Sequence, residues 1–96
     1  NLMKTAIARH ILVKDKELAE QLKQKIKDGA DFAKIAKQHS TCNSAKRGGE
    51  LGEVKKGDLV PSIDKAVFTL KENQLHGPIK SKFGWHLLEI KFRMDF

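Results

Sequence analysis

From Trp85 to Phe92 the chain alternates, with His86, Leu88, Ile90 and Phe92 on one side and Trp85, Leu87, Glu89 and Lys91 on the other. A period of two places successive side chains on opposite faces of an extended strand, so this run is the clearest strand in the sequence. A lone strand cannot bury such a face; it needs a sheet and a layer of helix packed on it. With 96 residues there is room for one small domain and not for two.

The rest of the chain supplies those layers. Ala6 to Lys14 alternates weakly and then turns apolar at Ile11, Leu12 and Val13, which predicts a strand. Asp15 is placed to cap a helix in which Leu18, Leu22 and Ile26 recur every fourth residue among lysines and glutamines, and Gly29 ends it. Asp31 opens a second helix with Phe32, Ile35 and Ala36 on its apolar side. Thr41 to Gly49 reads as loop with room for one helical turn, and Glu50 to Val54 as a short strand. Pro61 starts a third helix that runs through Phe68. His76-Gly77-Pro78-Ile79 suits an edge strand, where a missing backbone donor is tolerated. The order predicts an α+β domain spanning 1–96, a small sheet with helices against it. Asn1-Leu2 ahead of Met3 suits a tag or linker remnant, and residues 1–5 are set apart on that ground. A domain taken from a longer secreted chaperone would read the same way.

Ser40 to Gly52 holds the only cysteine, Cys42, just before a basic, glycine-broken loop. A lone thiol on a loop, with histidines elsewhere in the chain, is a pattern associated with a site. One cysteine cannot form an internal disulfide, which favours a reducing compartment and a cytoplasmic location. No apolar run approaches the roughly 20 residues of a membrane-spanning helix, and no charged-then-apolar leader is present. Four dispersed histidines and one cysteine show no recognisable zinc spacing. The net charge of +7 attracts anions such as nucleic acid or acidic peptides, but most lysines fall on the polar face of one amphipathic helix. With six aromatic residues and no tyrosine, a stacking platform for nucleic acid is not visible.

Several separated motifs carry a resemblance: His10-Ile-Leu-Val-Lys14, Gly29-Ala-Asp-Phe32, Ser44-Ala-Lys-Arg-Gly-Gly-Glu-Leu-Gly52, Gly57-Asp-Leu-Val-Pro61, Ala66-Val-Phe68, Gly77-Pro78 and Phe83-Gly-Trp-His86. Each is weak alone. In this order and spacing they resemble the parvulin family of peptidyl-prolyl cis/trans isomerases over about residues 6 to 92. The resemblance implies an FKBP-like fold, a four-stranded antiparallel sheet surrounded by four helices. It implies catalysed rotation about X–Pro bonds in unfolded or flexible segments, assisting folding, in a monomer that needs no cofactor.

By the same resemblance, His10 and His86 are the paired histidines of adjacent central strands. Cys42 faces the rotating peptide, at a position that is cysteine or aspartate in the family. Ser40 and Ser81 are hydroxyls that join the histidine network. Leu51, Leu59, Ile63 and Phe83 surround the proline pocket, and Lys14, Lys46 and Arg47 are basic positions at its mouth. The sequence departs from the family pattern in three ways. Leu59 stands where methionine is frequent and Ile63 where phenylalanine is common. The long basic loop of phosphate-selective parvulins is absent, because Asp15-Lys16 runs straight into the helix. No preference for phosphoserine or phosphothreonine is therefore expected. The rival reading is a peptide-binding chaperone module of the same fold with little catalysis. Plain structure also competes with function here: histidines in strands are often satisfied core residues, and Leu51, Leu59 and Phe83 would serve equally as core.

Overall fold

The computed structural model describes residues 4–95. Its elements follow the order β1 (Lys4–Val13), α1 (Lys16–Lys27), α2 (Phe32–His39), a 3-10 helix (Asn43–Arg47), β2 (Glu50–Lys55), α3 (Pro61–Thr69), β3 (Leu75–Ser81) and β4 (Gly84–Asp95). The four strands form one antiparallel sheet in the order β2-β1-β4-β3. The expected α+β architecture therefore holds, with three α-helices and a fourth helical segment that is only the short 3-10 turn. Residues 1–3 of the stretch set apart as a tag or linker lie outside the described residues, while Lys4 and Thr5 pair with Asp95 and Met94 in the sheet.

The helices divide the two faces of the sheet. α1 and α2 cover Ile11, Val13 and Leu87 with Ala19, Leu22, Phe32, Ile35 and Ala36. α3 covers Ala6, Ala8, Leu88 and Ile90 with Ile63, Ala66, Val67 and Phe68. Because α3 is short, it covers only one end of its face. His10, Leu12 and His86 lie on that face at the other end, by strand alternation from Ala6, Ala8 and Leu88.

Local chemistry starts and stops these elements. Asp31 caps α2, its carboxylate accepting from the Lys34 amide at 3.0 Å. Asp15 occupies the N-cap of α1 in extended conformation but makes no side-chain cap bond, so it acts only as a negative charge at the helix start. Pro61 sits in the first turn of α3, where its missing N–H costs nothing. At the far end, the Arg93 guanidinium donates to the Val67 carbonyl in the last turn of α3 at 2.8 Å and to the carbonyl of the C-cap residue Leu70 at 2.6 Å.

Three register slips separate this sheet from a simple alternating one. Ala8 pairs with Ile90 and Ile7 with Phe92, so Lys91 is skipped and Phe92 turns to the face opposite Ile90. Ile90 is fully buried, whereas Phe92 is 47% exposed, contrary to the alternation that placed both on one side. A second slip between Ala8 and Arg9 skips Leu51 of β2. The third lies between His76 and Ile79 of the edge strand β3 and takes in Gly77-Pro78.

Candidate active site

The open end of the α3 face forms a cavity of about 250 Å³. Its wall consists of His10 and Leu12 from β1, Cys42 ahead of the 3-10 helix, Leu51 from β2, Asp58, Leu59 and Val60 from the loop before α3, Ile63 from α3, and Phe83 and His86 around the β3–β4 turn. Chain segments far apart in sequence thus converge on one hollow. Leu51 reaches it from the register slip in β2, and Phe83 stands at the rim with 59% of its surface exposed. Ile63 is nearly fully buried and belongs both to the core and to the cavity wall.

The two histidines sit on the central strands, where Leu12 pairs with His86 and His10 with Leu88. Their rings are stacked at 5.2 Å, and the Nδ1 atoms approach to 3.0 Å. At that distance one ring donates N–H and the other accepts. His86 Nε2 meets Ser81 Oγ at 2.6 Å, and Ser81 Oγ also accepts from the Phe83 amide at 3.1 Å. The network therefore links the histidine pair to the turn that carries Phe83. His10 Nε2 is buried with no partner, a feature that costs about 1–3 kcal/mol in a folded protein. Burial pushes both imidazoles down to about 4, with the nearby His86 adding to the effect on His10. At neutral pH the pair is uncharged.

Two glycines seat the histidine backbones. Gly49 has φ +88°, and a Cβ there would lie 2.4 Å from the His10 carbonyl oxygen. Gly77 has φ +120°, and a Cβ there would lie 2.4 Å from the His86 carbonyl oxygen. Neither position admits a side chain, which is the physical content of glycine in both motifs.

The structure brings together His10, His86, Ser81, Cys42, Leu51, Leu59, Ile63 and Phe83. It does not bring Ser40 into the histidine network. The Ser40 hydroxyl accepts from the Leu12 amide at 3.0 Å and the Cys42 amide at 3.4 Å, so it fixes the backbone that carries Cys42. Lys14, Lys46 and Arg47 are exposed, and none lines the cavity. The family resemblance implies them at its mouth, outside the wall itself. Leu12, Asp58 and Val60 line the cavity without having been singled out. Leu12 was detectable, since it lies two residues from His10 and shares its strand face. Asp58 and Val60 lie in a loop, where no periodicity reports direction. Among the described residues no group of three His, Cys, Asp or Glu side chains is placed to hold a metal ion.

A family model described as Rotamase, the PPIC-type PPIase domain, matches residues 6–91. The chain belongs to the parvulin family. The match covers the motifs that build the cavity wall and the histidine pair, and this parvulin domain is a peptidyl-prolyl cis/trans isomerase by family. It is 39% identical over 97 residues to the chaperone SurA of Thiobacillus denitrificans, covering 92% of this chain and 22% of that one. It is 43% identical over 84 residues to the foldase protein PrsA of a Geobacillus species, covering 86% of this chain and 30% of that one. The domain thus spans less than a third of the length of these curated relatives. Among solved structures, the peptidylprolyl isomerase PrsA of Bacillus anthracis superposes with a TM-score of 0.93 at 34% identity, over 98% of this chain and 44% of that one. The parvulin NmPin of Nitrosopumilus maritimus superposes with a TM-score of 0.83 at 36% identity, over 92% of this chain and 96% of that one. The same domain therefore occurs both alone and inside longer chains.

Proposed function

We propose that the cavity grips a prolyl ring and lowers the barrier to rotation about the preceding peptide bond, with Cys42 and the neutral histidine pair facing the twisted amide. The observation that carries this reading is the open apolar hollow bounded by Leu51, Leu59, Ile63 and Phe83 and floored by the linked histidines. Side chains serving only as core would close on one another.

The chemistry follows from the amide itself. Resonance gives the C–N bond partial double character and a barrier of about 18–20 kcal/mol. It also makes the planar amide strongly polar. Twisting removes the resonance, leaves the carbonyl less charged and makes the nitrogen more basic. A water-poor apolar cavity favours the twisted, less polar form over the planar one, and fixed donors at the nitrogen add to the difference. A rate gain of about a thousandfold requires only about 4 kcal/mol of such differential stabilisation. No strong acid or base is needed, which suits imidazoles held neutral by burial. In this reading His10 and His86 shape and polarise the site, Ser81 fixes their orientation, and Cys42 makes a polar contact to the carbonyl region. Ser40 is a positioning residue for the Cys42 backbone.

The substrates proposed are proline-containing flexible segments, and the biological use is relief of folding steps limited by proline isomerisation, which take about 10–100 s uncatalysed. We further propose that the domain acts as a monomer, in a reducing compartment such as the cytoplasm, without nucleic acid; the unpaired Cys42 supports the compartment. Among the described residues no helix is long and apolar enough to cross a membrane. The rival reading, a peptide-binding module with little catalysis, draws support from Ile63, which offers proline no aromatic face, and from relatives named as chaperones.

Exchange NMR on Ala-Leu-Pro-Phe separates the two. Faster cis/trans exchange at substoichiometric protein is the result expected. Peptide-induced shifts in the protein without faster exchange would assign it to binding alone.

A further inference from the structure

The cavity wall contains one carboxylate, Asp58, and no lysine or arginine. Its two histidines are neutral at pH 7 because burial holds them near 4. The chain carries a net charge of +7, and Asp58 is the one formally charged residue on the cavity wall, while the Lys82 ammonium lies over the ring of the rim residue Phe83, 5.2 Å from its centroid.

Asp58 is also held in place. Its Oδ2 accepts from the Lys55 amide at 2.8 Å, and its own amide donates to the Lys55 carbonyl at 3.0 Å, closing the turn between β2 and α3. Asp64 of α3 locks that turn from the other side, accepting from the Gly57 amide and from Lys56 Nζ, each at 2.7 Å. The neighbouring Lys56 ammonium is thereby engaged by Asp64. Among the described residues no cation lies within salt-bridge distance of Asp58. The second oxygen of this cavity-lining residue's carboxylate accepts no hydrogen bond among the described residues.

Resting on the isomerase-site reading above, we propose that Asp58 is a specificity determinant that favours segments with a lysine or arginine beside the proline and disfavours those with an acidic residue there. Its reach is short, because an exposed carboxylate is screened by salt within about 8 Å at physiological ionic strength. The effect is correspondingly modest, about two- to fivefold between lysine and glutamate peptides, the size set by exposed ion pairs.

The test measures exchange rates and peptide-induced chemical shifts for Ala-Xaa-Pro-Phe and Ala-Ala-Pro-Xaa, with Xaa as Lys, Glu or Leu, in wild type, Asp58→Asn and Glu53→Gln. Asparagine retains an oxygen to accept from the Lys55 amide, so the turn is preserved. Glu53 is exposed on β2 and does not line the cavity, so its variant controls for net charge. The expected result is a Lys:Glu ratio of about two or more in at least one series, lost in Asp58→Asn, kept in Glu53→Gln and shrinking at about 0.5 M salt. A ratio at or below one in both series, or one that survives in Asp58→Asn, overturns the proposal. Absence of acceleration for the leucine peptide would sink the isomerase reading separately, and the affinity ratio from the shifts would still decide the role of Asp58.

Discussion

Cys42 lines the cavity on a backbone that the Ser40 hydroxyl holds, so removal of its thiol tests chemistry with little disturbance to the fold. Cys42→Ala is expected to lower kcat/KM by about tenfold, equivalent to about 1.4 kcal/mol of transition-state stabilisation, with an unchanged circular dichroism spectrum. Cys42→Asp is expected to recover part of that loss, because a polar contact does not need a nucleophile. Complete inactivity of the aspartate variant in the same NMR assay would point to a covalent role. The histidines make a second residue-scale prediction. Their folded pKa values lie near 4, below the unfolded value of about 6.5, so between those limits the unfolded chain binds protons that the folded chain does not. Stability is therefore full above about pH 6.5 and falls as pH drops towards 4. Urea denaturation from pH 7 to pH 4 measures the slope, and His10→Asn should flatten it.

At the scale of elements, the site depends on the turn between β2 and α3. Burial pushes the Asp64 carboxyl up, but the hydrogen bonds from Lys56 and Gly57 outweigh it and hold the group below the usual carboxylate range. Asp64→Ala removes the hydrogen bonds that its carboxylate accepts from the Gly57 amide and Lys56 and should cost about 1–3 kcal/mol in denaturant unfolding. It should also weaken peptide binding, because Asp58, Leu59 and Val60 follow directly from that turn. The connection from β1 to α1 holds only Lys14 and Asp15, too short for a basic phosphate-binding loop. A phosphoserine-proline peptide is therefore expected to exchange no faster than its serine counterpart, and a strong preference in paired NMR assays would overturn this expectation. Lys23 of α1 donates to the Gly77 carbonyl at 2.7 Å, tying the opposite helical layer to the slip beside His86. Helices on both faces thus hold the histidine strands.

On the scale of the whole molecule, the first and last strands pair at the centre of the sheet, and the Arg9–Glu89 ion pair at 2.7 Å joins residues from near the two ends of the chain. The two apolar clusters share β1 and β4, so neither can persist once that pair separates. Unfolding is expected to be two-state, with far-UV circular dichroism and Trp85 fluorescence giving one midpoint. Distinct midpoints would mean that the two layers melt separately. The sequence by itself determined the element types and most of the wall of the cavity. Period-two and period-four spacing, Asp31 and Pro61 at helix starts, and Gly29 at the end of the first helix are local signals, legible one segment at a time. Family motifs added the histidine pair, Cys42 and the apolar pocket residues. Tertiary structure alone decided the rest, because it depends on which strand meets which and where their registers slip. The skipped Lys91 turned Phe92 outward, and the skipped Leu51 delivered that side chain to the cavity. The same convergence left Ser40 on a backbone amide and placed Asp58 as the one carboxylate on the wall. Direction in space is a property of packed neighbours, and no single segment carries it.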